Sequence, residues 1–275
     1  MERKKLIAFV EVSLAVVVWG ASFIATKVAL REVSPVTIVW LRFAMGVVIL
    51  GVAVIARKQF TLVPPKEIGY FALLGFLGIA FHQWLQSNGL ITAQATTTAW
   101  IVATTPVFMA LLGWLVLKER LRMGQVIGIG LAAVGVLLVV SKGEAAALVG
   151  GRFGAPGDFL VLISAVNWAV FSALSKRGLQ NHPATRMTFY VMAFGWLFTS
   201  ALLFAGPGLS EISRLTPEGW WGVVFLGVAC SGLAYIFWYD ALQIIPASQI
   251  GVFLYVEPLV AVVVAARVLD EAMTL

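Results

Sequence analysis

The chain has 275 residues, of which 61% are hydrophobic and only 12% charged, with 19 basic against 13 acidic side chains. A soluble domain of this length carries about twice that charged fraction, and the basic residues fall in short clusters between long apolar runs, which excludes a soluble fold and argues against a nucleic-acid partner. One cysteine, Cys230, excludes a disulfide framework, and with only two histidines beside it no Cys/His metal set is available, so no cofactor is expected.

The first apolar run follows Met1 to Lys5 and extends from Leu6 to Leu30, about 25 residues. A signal-peptide core is roughly 7–15 residues, so this run is read as a helix that stays in the protein. A bilayer core requires about 20 apolar residues per helix. Nine runs meet or approach that length: 8–30, 36–56, 68–90, 96–117, 124–140, 159–175, 187–205, 219–240 and 247–268. Their connections carry turn residues such as Ser34-Pro35, Pro64-Pro65 and Pro207-Gly208. Period-two alternation is absent, so the runs are helices and not barrel strands. The fold expected is an all-α integral membrane protein. With the N-terminus in the cytoplasm, twelve basic residues lie in inner segments and six in outer ones, while Arg42 lies inside a span. This predicts a cytoplasmic N-terminus in the inner membrane of a bacterial or archaeal cell.

The two halves resemble each other. Trp19 to Lys27 matches Trp168 to Lys176 at an offset of 149, and Gly78 and Gly227 keep that offset. After a three-residue slip, Gly89-Leu90 matches Ala241-Leu242, and Thr105-Pro106 with Lys118-Glu119 matches Glu257-Pro258 with Asp270-Glu271. Residues 1–141 form one five-helix repeat and 158–275 a second with four helices. An odd number of spans forces the second copy to enter the membrane inverted, the architecture of secondary transporters. The counterpart of the fifth helix, Gly124 to Val140, begins at 276, so a tenth helix is expected to be missing. Gly124 and Gly128 form a small-xxx-small pair, fitted to packing on the fourth helix or on another protomer.

Polar residues inside spans are functional suspects because they are expensive there. In the third run His82 and Gln86 share a face, flanked by Gln83, and form either a pathway stripe or interhelical hydrogen bonds. Thr97, Trp100 and Thr104 share a face of the fourth run, again as site or as helix packing. Trp19 and Ser22 in the first run, and Asn167 and Trp168 in the sixth, surround any cavity at the repeat interface. In the eighth run Tyr235 is placed in the cavity, while an interfacial aromatic belt accounts for Trp238 and Tyr239 at least as well as ligand stacking does. Glu257 lies about ten residues into the ninth run, near the midplane at ~1.5 Å per residue. Its neighbour Pro258 leaves the carbonyl of residue 254 without an intrahelical donor. A charged Glu there costs several kcal/mol unless paired or protonated. Two readings stay open: a proton-coupling carboxylate, or a structural ion pair with Arg42. Glu11, one turn inside its helix, is read as snorkelling to the interface.

The chain also resembles the drug/metabolite transporter superfamily, in its ten-helix EamA-type branch. The carrying residues are Trp19 to Phe23 with Lys27, Leu41-Arg42-Phe43, Thr105 to Phe108 followed by Lys118 to Leu121, and Glu257-Pro258 with Asp270-Glu271. The resemblance implies export or exchange of small organic metabolites, often amino acids or related compounds, without ATP. The expected partners are a small-molecule substrate and the lipid bilayer, with a coupling proton on the carboxylate reading of Glu257. The aromatic content of the suspect residues favours an uncharged or amphipathic substrate with an apolar part. The alternatives are a membrane enzyme acting on lipid and a channel. The enzyme lacks HExxH, GxSxG or an acidic metal pair, and the channel lacks a charged ring or carbonyl filter.

Overall fold

The computed structural model describes residues 2–118, 123–140 and 154–269. Among these residues nine long helices run in order: α1 Glu2–Leu30, α2 Pro35–Ala56, α3 Pro65–Thr92, α4 Ala95–Leu117, α5 Met123–Val140, α6 Pro156–Gly178, α7 Ala184–Phe204, α8 Pro217–Ile244 and α9 Ala247–Val268. Among the described residues there is no strand, and the eight helices α1 to α4 and α6 to α9 are long and apolar enough to cross a membrane. Pro35, Pro65, Pro156 and Pro217 each occupy the first turn of a helix, where their fixed φ suits the helix and their missing N–H is not needed.

Polar contacts sort the helix ends onto two faces. On the face of the N-terminus, Lys176 at the end of α6 donates to the carbonyls of Leu242 and Ile245 at the end of α8. There Arg57, just past α2, bridges Asp240 in α8 and Thr185 at the start of α7. Phe9 of α1 stacks on Phe253 of α9 at 5.9 Å. On the opposite face Thr92 at the end of α3 accepts from Gly157 N at the start of α6. Glu211 there accepts from Ser34 N and Thr37 Oγ1 at the start of α2. Burial raises the pKa of Glu211, but these hydrogen bonds outweigh it and hold the carboxyl below its ordinary value. The helices α1 and α6 therefore run in opposite directions.

The packing repeats under that inversion. α1 packs on α8 and α9, and α6 packs on α3 and α4; α2 lies against α7 and α8, and α7 against α2 and α3. The structure corrects the register of the internal match. α2 and α7 begin at Pro35 and Ala184, 149 apart, but α3 and α8 begin at Pro65 and Pro217, 152 apart. The slip therefore lies in the connection before α3 and α8, because residues 205–216 include two extra helical turns, Gly208–Glu211 and Ile212–Arg214. Gly227 is thus the counterpart of Gly75, not of Gly78. A Cβ on Gly75 would approach Phe194 Cβ to 2.9 Å, and one on Gly227 would approach Met45 Cβ to 2.9 Å. Met45 and Phe194 are themselves 149 apart.

Four helices are locally irregular. α3 and α8 contain π-helical segments, Phe76–Phe81 and Phe225–Leu233, which the sequence analysis does not anticipate. α4 breaks between Val102 and Thr105, and α9 is 3₁₀-helical over Gly251–Tyr255. The cause of these last two is shared: Pro106 and Pro258 cannot donate to the carbonyls one turn back. The small-residue pair on α5 does not pack as expected on α4, since a Cβ on Gly124 or Gly128 would meet nothing within 4 Å. The matched pairs Lys118-Glu119 and Asp270-Glu271 extend outside the described residues.

The close approach of α3 to α7 yields a test. A Cβ on Gly75 would lie 2.6 Å from Val191 O and 2.7 Å from Gly195 N, both rigid backbone atoms. Gly75→Val is expected to destabilise the bundle by about 1–3 kcal/mol or more, as overpacking does, whereas Gly124→Val changes little. Melting of both variants in detergent, followed by size-exclusion chromatography, checks this; equal melting temperatures would refute the close contact.

Candidate functional site

The irregular segments converge on one central cavity. It is lined by Trp19, Ser22 and Phe23 of α1, Arg42 of α2, and His82, Gln83 and Gln86 of α3. Val102 and Thr105 of α4, Ala165 and Trp168 of α6, Tyr235 of α8, and Leu254 and Glu257 of α9 complete it. Four repeat pairs contribute both members: Trp19 with Trp168, Gln83 with Tyr235, Val102 with Leu254, and Thr105 with Glu257. The pseudo-two-fold axis therefore passes through the cavity.

Each wall is held by a specific local device. The π-segments loosen main-chain carbonyls, and side chains from the other repeat satisfy them. Trp19 Nε1 donates to Cys230 O at 3.0 Å, and Asn167 Nδ2 donates to Leu77 O at 2.7 Å. His82 Nδ1 lies 3.1 Å from Ser164 O; a carbonyl only accepts, so Nδ1 carries the proton. The ring of Trp19 meets Trp168 edge-on at 5.7 Å and Tyr235 at 5.6 Å, while His82 lies 4.8 Å from Trp168. Gly20 lets α1 approach α9 at the site, since a Cβ there would lie 2.8 Å from Glu257 O.

Two ionisable side chains, Arg42 and Glu257, face this aromatic box. Arg42 is 3% exposed; its Nε donates to Ser231 Oγ at 2.9 Å and its Nη1 to Gln83 Oε1 at 3.1 Å, and it sits over the Phe43 ring at 5.1 Å. Glu257 is also 3% exposed and makes no ion pair or side-chain hydrogen bond with any described residue. The expected ion pair between Arg42 and Glu257 is not formed. Arg42 is instead held by neutral acceptors, and its guanidinium and the Glu257 carboxyl group both face the cavity.

Of the remaining residues singled out in the sequence, Trp19, Ser22, His82, Gln86, Trp168 and Tyr235 are brought together here. Four are not. Trp100 is 41% exposed and points away, Thr97 is half-buried off the cavity, and Thr104 is buried but not lining. A helical wheel drawn through 97, 100 and 104 fails because the break at 103–104 changes the phase of α4, so Val102 and Thr105 reach the cavity instead. Asn167 is spent on the Leu77 carbonyl. Trp238 and Tyr239 form no interfacial belt; they are 0% and 2% exposed. Sequence reasoning missed Phe23, Val102, Ala165 and Leu254 and passed over Gln83 and Thr105, although the repeat match marks these last two as partners of Tyr235 and Glu257.

The cavity volume is about 40 Å³, room for a few water molecules, whereas small-molecule pockets span roughly 300–1,000 Å³. The conformation is contracted. Toward the face of the N-terminus, Phe171, Trp238 and Tyr239 fill the space completely, and the Arg57–Asp240 bridge at 2.8 Å lies beyond them. The repeat counterparts of that bridge are Gly206 and Asn88, which cannot form one.

A seven-helix-lined cavity on the axis of an inverted repeat defines a membrane transporter fold. The EamA-like transporter family model matches the chain twice, over residues 6–141 and 155–275, and the chain belongs to that family. An uncharacterized transporter of Archaeoglobus fulgidus is 26% identical over 94% of this chain and 88% of its own length. The uncharacterized transporter YetK of Bacillus subtilis is 24% identical over 98% of this chain and 82% of its own. One solved crystal structure, 23% identical, has the same fold with a TM-score of 0.73 over 100% of this chain and 91% of that one. The protein is a multi-pass integral membrane transporter.

A double-mutant cycle tests the separation of Arg42 from Glu257. Arg42→Leu strands Ser231 and Gln83 and should cost about 1–3 kcal/mol of stability. Glu257→Gln should cost less, and with no ion pair to lose the double variant should be no more stable than Arg42→Leu alone. A double variant more stable than Arg42→Leu alone would restore the ion pair.

Proposed function

We propose that this protein is a secondary transporter moving a small zwitterionic, amphipathic metabolite, of the amino-acid type, by alternating access. The observation that carries the reading is the pairing of a guanidinium and an unpartnered carboxylate across one aromatic-walled cavity. A zwitterion supplies the missing partner to each. Its carboxylate meets Arg42, its ammonium meets Glu257 and the ring faces of Trp19 and Trp168, and its apolar part lies against Phe23, Val102 and Leu254. Discrimination is expected from the charges, because a ligand lacking either group leaves a buried charge unmet.

Glu257 has a second role in this proposal. With no protein partner, it holds either a substrate ammonium or a proton, and competition between the two couples substrate release to proton uptake. The N-terminus lies in the cytoplasm, following the excess of basic residues on that side, and net movement is outward. The Arg57–Asp240 bridge closes the cytoplasmic side. Its side chains are 41% and 19% exposed, so it biases the equilibrium by only about 0.2–1 kcal/mol, a latch that thermal motion opens.

Purified protein in liposomes provides the test, with uptake of radiolabelled zwitterionic amino acids bearing apolar side chains measured with and without a pH gradient. Flux is expected only for ligands carrying both charges. Trp168→Ala should lower it at least about tenfold, as expected for loss of a well-packed aromatic contact of about 1.4 kcal/mol or more. Glu257→Gln should fold normally and lose its response to the gradient. An unchanged proton dependence in that variant removes the coupling role, and equal flux of a monovalent cation or anion removes the zwitterion.

A further inference from the structure

Among the described residues Ser172 Oγ on α6 and Trp238 Nε1 on α8 are buried without a hydrogen-bond partner, whereas the hydroxyl of Tyr235 lies beside Gln83 and that of Tyr239 beside Ser175. Isolated orphans of this kind are costly and rare in folded interiors. Serines inside helices ordinarily bond back to their own main chain, as Ser164 does to Val161 O; Ser172 does not. Ser172 and Trp238 lie outside the cavity described above, between it and the face of the N-terminus.

The inverted repeat gives them a meaning. With the corrected register, Phe23 corresponds to Ser172, Ser22 to Phe171, Gln86 to Trp238 and His82 to Ala234. The first member of each pair lines the present cavity, and the second is sealed in the aromatic plug on the other side. Phe23 lies seven residues before the end of α1 and Ser172 six before the end of α6, so the two stand at mirrored depths from opposite faces.

We propose that Ser172, Phe171 and Trp238 form the wall of the substrate site when it opens to the face of the N-terminus. This rests on the alternating-access reading given above. In that state the two repeats exchange conformations. Trp238 Nε1 donates, and Ser172 Oγ donates or accepts, to substrate or entering water, which ends their unpartnered condition. Phe23 and Gln86 then become the sealed side. The two states therefore present different polar groups to the same ligand, Gln86 and His82 in one and Trp238 and Ser172 in the other. Affinity from the two faces should differ accordingly.

The test uses the full chain with Cys230→Ala, in proteoliposomes sorted by orientation. Phe23→Cys, Ser172→Cys and Ala234→Cys are each exposed to a membrane-impermeant charged maleimide; Lys4→Cys and Ser213→Cys, both exposed, mark the two faces. Phe23→Cys should react only from the Ser213 side. Ser172→Cys and Ala234→Cys should react only from the Lys4 side, and adding Arg57→Ala should raise their rates by about 1.4- to 5-fold, the population shift expected for loss of an exposed ion pair. Two sites are used so that a misfolded variant at one leaves the other to decide. If both stay unreactive from the Lys4 side, or react from the Ser213 side, while amino-acid flux persists, the wall is wrong and transport stands. If both react as expected but no ligand moves, the second opening is real and the transport reading fails instead.

Discussion

Inside a bilayer every main-chain carbonyl must find a donor within the protein, because the hydrocarbon offers none. The structure turns on where this protein relaxes that rule. Among the described residues its spans are irregular where α3, α4, α8 and α9 line the central cavity. There the π-segments and proline breaks free carbonyls that side chains then claim. Trp19 reaches across to Cys230 O and Asn167 to Leu77 O, each from a helix of the other repeat. These two hydrogen bonds join the repeats, fix the orientation of the Trp19 ring, and hold open the one place where irregular backbone is tolerated. The functional cavity occupies that place.

The frame is nearly symmetric and the side chains are not. Arg42 has Val191 as its counterpart, Glu257 has Thr105, and His82 has Ala234. One guanidinium and one carboxylate thus come from opposite repeats, and the cavity acquires a polarity that the backbone lacks. The same holds at the faces, where Arg57 and Asp240 bridge one side and Gly206 and Asn88 stand in their places on the other. On the proposed alternating-access reading, symmetry makes two conformations comparable in energy, and a few unsymmetrical contacts select between them. A contracted cavity of about 40 Å³ sealed by Phe171, Trp238 and Tyr239 is the outcome in the conformation described.

Much of the architecture is legible in residue order. Long apolar runs fix the helices because length and hydropathy answer directly to bilayer thickness. The twin motifs around Trp19 and Trp168 expose the repeat, and Trp19, Ser22, His82, Gln86, Trp168, Tyr235, Arg42 and Glu257 stand out because polar and aromatic groups inside spans have few other reasons to be there. The helical wheel served less well wherever the helix is not ideal. A 3.6-residue period puts Trp100 and Thr104 on one face, but the Pro106 break interrupts it, and the match of Gly78 to Gly227 puts the three-residue slip after that glycine instead of in the longer α7–α8 connection.

The sequence by itself determined the spans, the inversion and the short roster of charged and aromatic residues near the axis, since these depend on composition, period and internal repetition along one chain. Tertiary structure alone decided which of them share a cavity, that Arg42 is held by Ser231 and Gln83 and not by Glu257, and that Trp238 and Ser172 lie sealed instead of facing lipid. The reason is that the partner chosen by a long side chain is set by contacts between helices far apart in the chain, 189 positions for Arg42 with Ser231 and 41 for Arg42 with Gln83, and that the phase across a broken helix departs from an ideal period.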